Sequence, residues 1–181
     1  MDILNTSLSG LIIIQPKLFN DDRGYFLESY HQHRYSELNI PHFVQDNLSH
    51  SNQHVLRGLH YQLPNPQGKL IWVTHGEILD IALDIRVNSP TFGQWYSIVL
   101  SEENHTQIYV PPGFAHGFCV LTPLADVHYK CTDVYIPTNE HGIIWNDPHL
   151  KIPWPLKKPL LSPKDQMLPM LHEVSLEQLF T

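Results

Sequence analysis

Short apolar runs separated by turn residues are the feature of this sequence that most constrains its fold. In residues 77–86, EILDIALDIR, every second residue from Leu79 onward is aliphatic, and the positions between them include Asp80 and Asp84. This alternation predicts a β-strand with one buried face and one more polar face. Turn signals such as Pro111-Pro112-Gly113 separate such runs at intervals of about eight to twelve residues, a spacing typical of antiparallel sandwiches and barrels.

The same criteria predict strands along most of the chain. The predicted strands cover residues 10–16, 25–30, 43–49, 55–62, 70–75, 77–86, 95–100, 107–110, 117–121 and 127–130, with a last one at Tyr135. Short helices are predicted only over residues 33–38 and 175–180. Because strands do not alternate with long helices, a parallel α/β fold is disfavoured. The sequence therefore predicts an all-β fold, an antiparallel sandwich or barrel with short helices.

The last part of the chain has a different composition. Prolines concentrate between Pro148 and Pro169, which excludes a central strand there. The same part carries Trp145, Trp154 and several leucines, more apolar side chains than a solvated linker needs. We expect this proline-rich segment to pack over the sandwich. At 181 residues, the whole chain 1–181 is then expected to form one domain.

Charge and cysteine content exclude several classes of partner. The net charge is −7 and there is no block of Lys or Arg, so neither nucleic acid nor an anionic membrane is an expected partner. The aliphatic run 11–14 is far too short to span a bilayer. Cys119 and Cys131 do not form a disulfide framework and no signal-peptide pattern is present, which predicts reduced thiols in a cytoplasmic protein.

The segment 55–69, VLRGLHYQLPNPQGK, is the first candidate site. His60 lies between a predicted strand and a Gly/Pro loop, where one ring nitrogen can face a cavity, and histidine is the usual proton acceptor at neutral pH. Arg57 and Lys69 bracket it with positive charge, which suits a phosphorylated ligand. Taken alone, the segment is equally compatible with a surface turn.

Three further segments carry candidate groups. In 111–118, PPGFAHGF, a turn places His116 at the predicted mouth of the barrel, and with Gly76-Glu77 this segment resembles the half-motifs of the cupin superfamily. Metal-binding cupins have a second histidine where Gln62 stands, so only two imidazoles are present and a metal site is not expected. Taken alone, Tyr129 is compatible with a core tyrosine, and the 162–165 segment SPKD with a solvated turn.

Together these segments resemble the dTDP-4-dehydrorhamnose 3,5-epimerase family of nucleotide-sugar enzymes. The matching segments, in order, are 22–26 with Glu28, 43–47, 55–62, 67–70, 89–93, 111–118, 129–130, 145–148 and 160–165. The resemblance implies a cupin-type jelly roll, normally a homodimer, that needs neither metal nor cofactor. It also implies epimerisation of dTDP-4-dehydro-6-deoxy-D-glucose at C3 and C5, through proton abstraction next to the C4 ketone.

The resemblance also implies a role for individual residues. His60 is expected to be the base, Asp165 its orienting carboxylate, Tyr129 the acid on the opposite face, and Lys69 the cation at the enolate oxygen. The residues expected to contact substrate are Arg23, Glu28, Gln45, Asn47, Arg57, His116, Tyr135, Glu140 and Lys164, with Tyr135 stacking on the thymine ring. These roles are chemically consistent, because a ketone is itself an electron sink and the protein need supply only a base, an acid and an oxyanion partner.

Small departures leave alternatives open. The loop between His60 and Lys69 is about a residue shorter than the family pattern, and Cys131 stands where threonine is frequent. Relatives on the same scaffold act on other deoxysugars, and some epimerise one carbon only. A metal-dependent cupin and a non-catalytic sugar-nucleotide-binding protein are the alternatives from other classes.

Overall fold

The computed structural model describes all residues from Met1 to Thr181, and its regular secondary structure consists mainly of antiparallel strands. The strands are β1 (Asp2–Asn5), β2 (Ile12–Gln15), β3 (Leu18–Asp21), β4 (Gly24–Leu27), β5 (Gln45–Asn52), β6 (Leu56–Gln62), β7 (Lys69–His75), β8 (Glu77–Asp84), β9 (Trp95–Ser101), β10 (Gln107–Val110), β11 (Phe114–Val120), β12 (Leu124–Cys131) and β13 (Glu140–Gly142). The one α-helix is α1 (Gln32–Ser36), and short 3-10 helices cover Pro137–Asn139, Asp165–Met167, Leu171–Glu173 and Leu176–Gln178. The all-β prediction is confirmed.

Two sheets face each other and form the sandwich. One has six strands in the order β1-β2-β10-β7-β12-β5, and the other has five in the order β13-β6-β11-β8-β9. Strands β3 and β4 form a separate hairpin. Neighbours in each sheet are mostly distant in sequence, so both sheets need connections that cross from one to the other, as in a jelly roll.

The strands bury residues on both of their faces. Between the sheets, one apolar cluster includes Ile71, Ile78, Phe118 and Val127. A second cluster lies on the outer face of the five-stranded sheet and includes Leu59, Ile81 and Leu83 together with residues of the C-terminal segment. A third covers the outer face of the six-stranded sheet beside α1. The molecule therefore has three apolar layers around two sheets.

This layering corrects the prediction for residues 77–86. The predicted polar face is not exposed: Asp80 and Asp84 have no solvent-accessible surface. Leu79, Ile81 and Leu83 pack toward the C-terminal segment, while the alternate positions face the space between the sheets. Alternation alone could not reveal this, because it separates the two faces of a strand without showing what covers each of them.

Other predictions agree with the structure to within a few residues, with three exceptions. Tyr135 is not in a strand; it lies in the loop before the 3-10 helix Pro137–Asn139. The strand predicted over 25–30 ends at Leu27. The helix predicted at 33–38 is observed as α1, and the one at 175–180 is only a 3-10 turn.

The proline-rich segment packs back onto the sandwich as predicted. Ile152 and Trp154 lie against the cluster on the outer face of the five-stranded sheet, and Leu171 and Leu179 are buried in it. Backbone hydrogen bonds join Leu160 to His54 and to Leu56, so the segment also extends the edge of β6. These contacts place Asp165 next to β6. No helix of the protein has the length and apolarity that a bilayer crossing requires.

Candidate active site

A cavity of about 550 Å³ lies between the two sheets. It begins where the inward-facing side chains change from aliphatic to polar. Along β12 these side chains run from Ala125 and Val127 to Tyr129, and along β7 from Val73 and Ile71 to Lys69. The aliphatic residues close the interior, and the polar residues line the open end. The polar end of the sandwich is thus a pocket with two facing walls.

Most of the predicted site residues meet in this cavity. It is lined by Gln45, Asn47, Arg57, His60, Lys69, His116, Tyr129, Tyr135, Glu140, Lys164 and Asp165. They come from both sheets and from the C-terminal segment, so no short stretch of sequence contains the site. Arg23 and Glu28 are the two that the structure does not bring there. Arg23 pairs with Asp21 and Glu28 pairs with Arg34, both outside the cavity.

His60 on β6 is held by Asp165. Nε2 of His60 lies 2.5 Å from Oδ1 of Asp165, whose side chain is only 4% exposed. Burial opposes ionisation of Asp165, but its hydrogen bonds with His60 and Ser162 and the charge of His60 together hold its pKa below the usual value. An ionised carboxylate can only accept, so Nε2 of His60 donates, and in the neutral imidazole Nδ1 keeps a free lone pair. Nδ1 lies 3.7 Å from Oε1 of Glu140, on the cavity side.

Two glycines allow β6 and β11 to approach closely beside this histidine. A Cβ atom on Gly58 would lie 2.6 Å from the Cα atom of Gly117 and 2.7 Å from the carbonyl oxygen of His116. Gly58 also has a φ of +114°, which disfavours any side chain. The resulting register places His116 opposite His60. The two imidazoles therefore line the same wall of the cavity.

His116 has its own buried carboxylate. Its Nε2 lies 2.7 Å from Oδ2 of Asp80, and the Asp80 side chain has no exposed surface. Oδ1 of Asp80 has no hydrogen-bond partner. Asp80 belongs to the strand face that the sequence predicted to be the more polar one, and its role as the partner of His116 was missed. The only sequence signal was a carboxylate within an apolar strand.

The opposite wall is formed by β7 and β12. Lys69 lies at the start of β7, paired in register with Cys131, and Tyr129 points into the cavity two residues earlier on β12. Burial lowers the pKa of Lys69, because the cavity walls remove water from its ammonium group. Burial raises the pKa of Tyr129, and the nearby Cys131 thiol adds to the effect. This wall carries an amine whose charged form is disfavoured by burial and a phenol that holds its proton, and both face the two histidines.

The Glu140 carboxylate lies beside three groups at the rim, those of Lys164, Tyr135 and His60. It accepts hydrogen bonds from the Lys164 ammonium and, at 2.7 Å, from the Tyr135 hydroxyl. Burial disfavours its charged form, but these bonds together with the charges of His60 and Lys164 bring the pKa of Glu140 below its usual value. The bond to Glu140 and partial burial raise the pKa of Tyr135 to about 12. The Tyr135 side chain remains exposed, with its ring available to a ligand.

Hydrogen bonds also position the remaining polar residues. Nε of Arg57 donates to Oγ of Ser51 at 3.0 Å, which leaves much of the guanidinium free for an anion. Gln45 donates to Asn47 at 2.9 Å and accepts from the backbone N–H of Tyr135 at 2.8 Å. These bonds fix the side chains in place before any ligand arrives. Ser51 and Ser162 were not among the predicted site residues, because a single serine in a strand or turn has no distinctive pattern.

The residues around the histidines do not fit a cupin-type metal centre. Nε2 of His60 and Nε2 of His116 are each hydrogen-bonded to a carboxylate. Neither histidine belongs to a group of three His, Cys, Asp or Glu side chains whose ligand atoms lie within 4.8 Å of one another. Gln62, at the position of the missing second histidine, donates to the backbone carbonyls of Asn65 and Val134. The donor set at this site suits proton transfer better than metal binding.

Comparison with known proteins relates this geometry to a family. A relative from Neisseria gonorrhoeae called dTDP-4-dehydrorhamnose 3,5-epimerase is 52% identical over 91% of this chain, which spans about half (51%) of that protein. One of the same name from Pseudomonas aeruginosa is 50% identical, covering 92% of this chain and 93% of its own length. A Streptomyces niveus protein called dTDP-4-dehydrorhamnose 3-epimerase is 38% identical over 92% of this chain and 82% of its own length.

Solved structures agree with the sequence comparison. The crystal structure of a dTDP-6-deoxy-D-glucose-3,5-epimerase from Legionella pneumophila, in complex with dTDP-4-keto-L-rhamnose, superimposes with a TM-score of 0.96. It is 51% identical, and the match covers 99% of this chain and 97% of that one. Residues 5–173 also match the sequence profile described as dTDP-4-dehydrorhamnose 3,5-epimerase. With its fold, its lined cavity and these similarities, the chain belongs to the dTDP-4-dehydrorhamnose 3,5-epimerase family.

Proposed function

We propose that this protein converts dTDP-4-dehydro-6-deoxy-D-glucose to dTDP-4-dehydro-L-rhamnose by inverting C3 and C5, without a cofactor. The observation that carries the proposal is that a histidine and a tyrosine line facing walls of one cavity. His60 lies on the five-stranded sheet and Tyr129 on the six-stranded sheet, with the cavity between them. A sugar ring bound between the walls would present opposite faces to the two side chains, which is the arrangement that inversion of a carbon requires.

His60 would remove the proton from the substrate carbon. With Nε2 donating to Asp165, Nδ1 is the atom that accepts the proton from the carbon next to the C4 ketone. The two electrons of the broken C–H bond form the enolate double bond, and the carbonyl electrons move to the C4 oxygen. Asp165 would stabilise the resulting imidazolium, because it remains ionised against burial. Its role is to orient His60 and to balance the charge that develops there.

Lys69 and Tyr129 would complete the reaction from the other wall. The ammonium of Lys69, which burial makes less stable in its charged form, gains most when a negative oxygen develops beside it. Tyr129 then donates its phenolic proton to the carbon on the face opposite His60. Burial raises the pKa of Tyr129, so the hydroxyl stays protonated until that step. His60 then releases its proton to solvent and Tyr129 regains one from solvent, and repeating the sequence at the second carbon gives the doubly inverted product.

The remaining residues would hold the nucleotide. We propose that Arg57 binds the diphosphate, since a guanidinium can contact two phosphate oxygens at once. Gln45, Asn47, His116, Glu140 and Lys164 would hydrogen-bond the sugar and diphosphate, and the exposed ring of Tyr135 would stack on thymine. The chain would act as one domain over 1–181, because both sheets and the C-terminal segment contribute to the cavity.

Solvent exchange tests the proposed activity. In deuterium oxide, the 4-keto sugar nucleotide should acquire deuterium at both C3 and C5, and the His60→Ala variant should lose both exchanges. Exchange at one carbon only would favour a single-carbon epimerase, the second candidate, which the similarity to the Streptomyces niveus 3-epimerase supports. Binding with no exchange at either carbon would contradict both. A panel of 4-keto nucleotide sugars in the same assay would establish which substrate is preferred.

We also propose a homodimer in which Arg23 and Glu28 act in the cavity of the second copy. Both are expected to contact substrate, yet neither reaches the cavity of its own chain. The hairpin of β3 and β4 that carries Arg23 also exposes large apolar side chains, with Tyr25 58% and Phe26 68% exposed. Such a surface is typical of a protein interface.

The two buried cysteines form no disulfide, which supports a cytoplasmic location.

A mixed dimer shows whether Arg23 serves the cavity of its own chain or the cavity of the partner subunit. Arg23→Ala and His60→Ala homodimers should each be nearly inactive. Mixing and exchanging subunits should restore activity, because one of the two cavities in the mixed dimer then combines an intact His60 with the partner's intact Arg23. If Arg23 acts within its own chain, the mixture stays inactive. Light scattering during chromatography measures the dimer itself.

A further inference from the structure

Two histidines and an aspartate meet on the surface of the C-terminal segment, away from the cavity that contains His60. They are Asp147, His149 and His172, and one ligand atom from each lies within 4.8 Å of the other two. The two imidazole rings have centroids 5.0 Å apart. None of the three residues lines the cavity assigned to the epimerase reaction. The proposed reaction gives this Asp147–His149–His172 cluster no role.

Backbone hydrogen bonds hold the Asp147 carboxylate in one orientation. It is 3% exposed, and each carboxylate oxygen accepts a backbone N–H, Oδ1 from His149 and Oδ2 from Leu171, both at 2.9 Å. Each carboxylate oxygen therefore keeps a second lone pair that can bind a cation.

The spacing of the ligand atoms suits a tetrahedral metal ion. Two ligands at 2.0 to 2.2 Å from zinc, at a tetrahedral angle, are about 3.3 to 3.6 Å apart. Oδ1 of Asp147 and Nδ1 of His149 are 3.3 Å apart. His172 lies in the 3-10 helix Leu171–Glu173, where its exposed side chain can turn toward the other two. Small side-chain movements would therefore bring three ligands to one ion.

The chemistry of the donors selects the kind of metal. Two imidazoles and one carboxylate suit zinc and similar transition metals, whereas magnesium and calcium prefer oxygen ligands. Both histidine side chains are exposed, so an ion can enter from solvent and keep a water molecule as its fourth ligand. A cavity of about 270 Å³ adjoins the cluster and is otherwise lined mainly by apolar side chains, including Phe92 and Leu176.

We propose that Asp147, His149 and His172 form a zinc-binding site that joins two parts of the C-terminal segment. Asp147 and His149 belong to the turn after Trp145, and His172 follows the 3-10 helix that carries Asp165. An ion bound to all three links residues 147–149 to residue 172 and closes the loop between them. Asp165 lies within that loop. The bound ion therefore stabilises the segment that holds the partner of His60.

Calorimetric titration with ZnCl2 at pH 7.5, after removal of metals with a chelator, tests the site. One ion should bind per chain, and at about 100 times Kd the midpoint of thermal unfolding should rise by about 5 to 10 °C. His149→Asn and His172→Asn should each weaken binding by about tenfold or more. His33→Asn is the matched control, because His33 is also exposed and pairs only with Glu37. MgCl2 at the same concentration should leave the unfolding midpoint unchanged.

Binding that is equal in all three variants would overturn the proposal, because it would show adventitious coordination by other surface histidines. Absence of zinc binding to the folded wild-type protein would also overturn it, as would an equal response to magnesium. Imidazole nitrogen NMR of the wild-type protein provides a readout that depends on no substitution. Zinc should shift the ring signals of two histidines selectively, and uniform shifts over many histidines would contradict the site.

Discussion

Replacement of Asp165 by asparagine isolates the contribution of the carboxylate that orients His60. The side chain is 4% exposed and lies 2.5 Å from Nε2 of His60, so an amide of the same shape can occupy its place. Asparagine carries no charge to stabilise an imidazolium. If its amide NH2 group faces Nε2, it also forces the proton onto Nδ1, the atom proposed to act as the base. The substitution therefore removes charge and tautomer control with little change of volume.

The expected magnitude follows from what the carboxylate supplies. A hydrogen bond to a charged group contributes about 1.5 to 3 kcal/mol. General base catalysis as a whole contributes about 10² to 10⁴ in rate, or about 3 to 5 kcal/mol. Asp165→Asn weakens both the charged hydrogen bond and the general base catalysis, because it leaves the base in the wrong tautomer. We expect kcat to fall by about 10² to 10⁴, with KM within about threefold of the wild-type value, since Asp165 contacts His60 and not the nucleotide.

Steady-state kinetics with the 4-keto sugar nucleotide measure this effect. Gln166→Ala is the control for the same 3-10 helix, because Gln166 is exposed and its side chain makes one long hydrogen bond, of 3.4 Å, to Leu161. It should retain nearly full kcat. A kcat for Asp165→Asn within about fivefold of the wild-type value, in a protein with an unchanged unfolding midpoint, would refute the role of Asp165.

Three further substitutions test other parts of the structure. Lys69→Met should lower kcat by about 10² to 10³ through loss of the oxyanion partner, without lowering the unfolding midpoint, because burial already disfavours the charged ammonium. For Asp84, burial opposes ionisation, but bonds from Arg86, Thr91 and Ser89 bring its pKa to about 2. Its ionised form therefore stabilises the fold above the unfolded pKa near 3.8, and this contribution is lost as the pH falls toward 2. Denaturant unfolding should show Asp84→Asn less stable than wild type by about 2 kcal/mol more at pH 7 than at pH 2. Gly58→Ala should destabilise the fold by more than about 2 kcal/mol, because its Cβ would lie 2.6 Å from the Cα atom of Gly117 and its φ is positive. Gly24→Ala is the control for backbone strain alone, because Gly24 also has a positive φ but its Cβ would meet no atom within 4 Å.

Much of the fold could be predicted from sequence periodicity. The runs 70–75 and 95–100 correspond to β7 and β9 within a residue, because alternating side chains reflect a purely local property of strands. Which strands are neighbours could not be predicted in this way. Strand β12 lies between β5 and β7, and that order depends on long-range packing. The burial of Asp80 and Asp84 was missed for the same reason.

The site was predicted through the ordered set of motifs and not from any one segment. His60 and Asp165 are hydrogen-bonded but 105 positions apart, a pairing that no spacing rule could indicate. The SPKD segment alone is compatible with a solvated turn. Only contacts of the proline-rich segment with β6 bring Asp165 into the cavity. Arg23 illustrates the opposite case, because the resemblance predicts a contact that one chain by itself does not make.

The ratio between the rate of solvent proton exchange and the rate of inversion tests whether the base and the acid act from opposite walls of the cavity. In deuterium oxide, Tyr129→Phe retains His60 and should still exchange the proton next to the ketone, while inversion, which needs a proton from the opposite wall, should fall by about 10² or more. Wild-type protein should show exchange and inversion at comparable rates. The account predicts a large rise in the exchange-to-inversion ratio for Tyr129→Phe and loss of both processes for His60→Ala. Equal loss of exchange and inversion in Tyr129→Phe, with nucleotide binding intact, would contradict the two-wall arrangement.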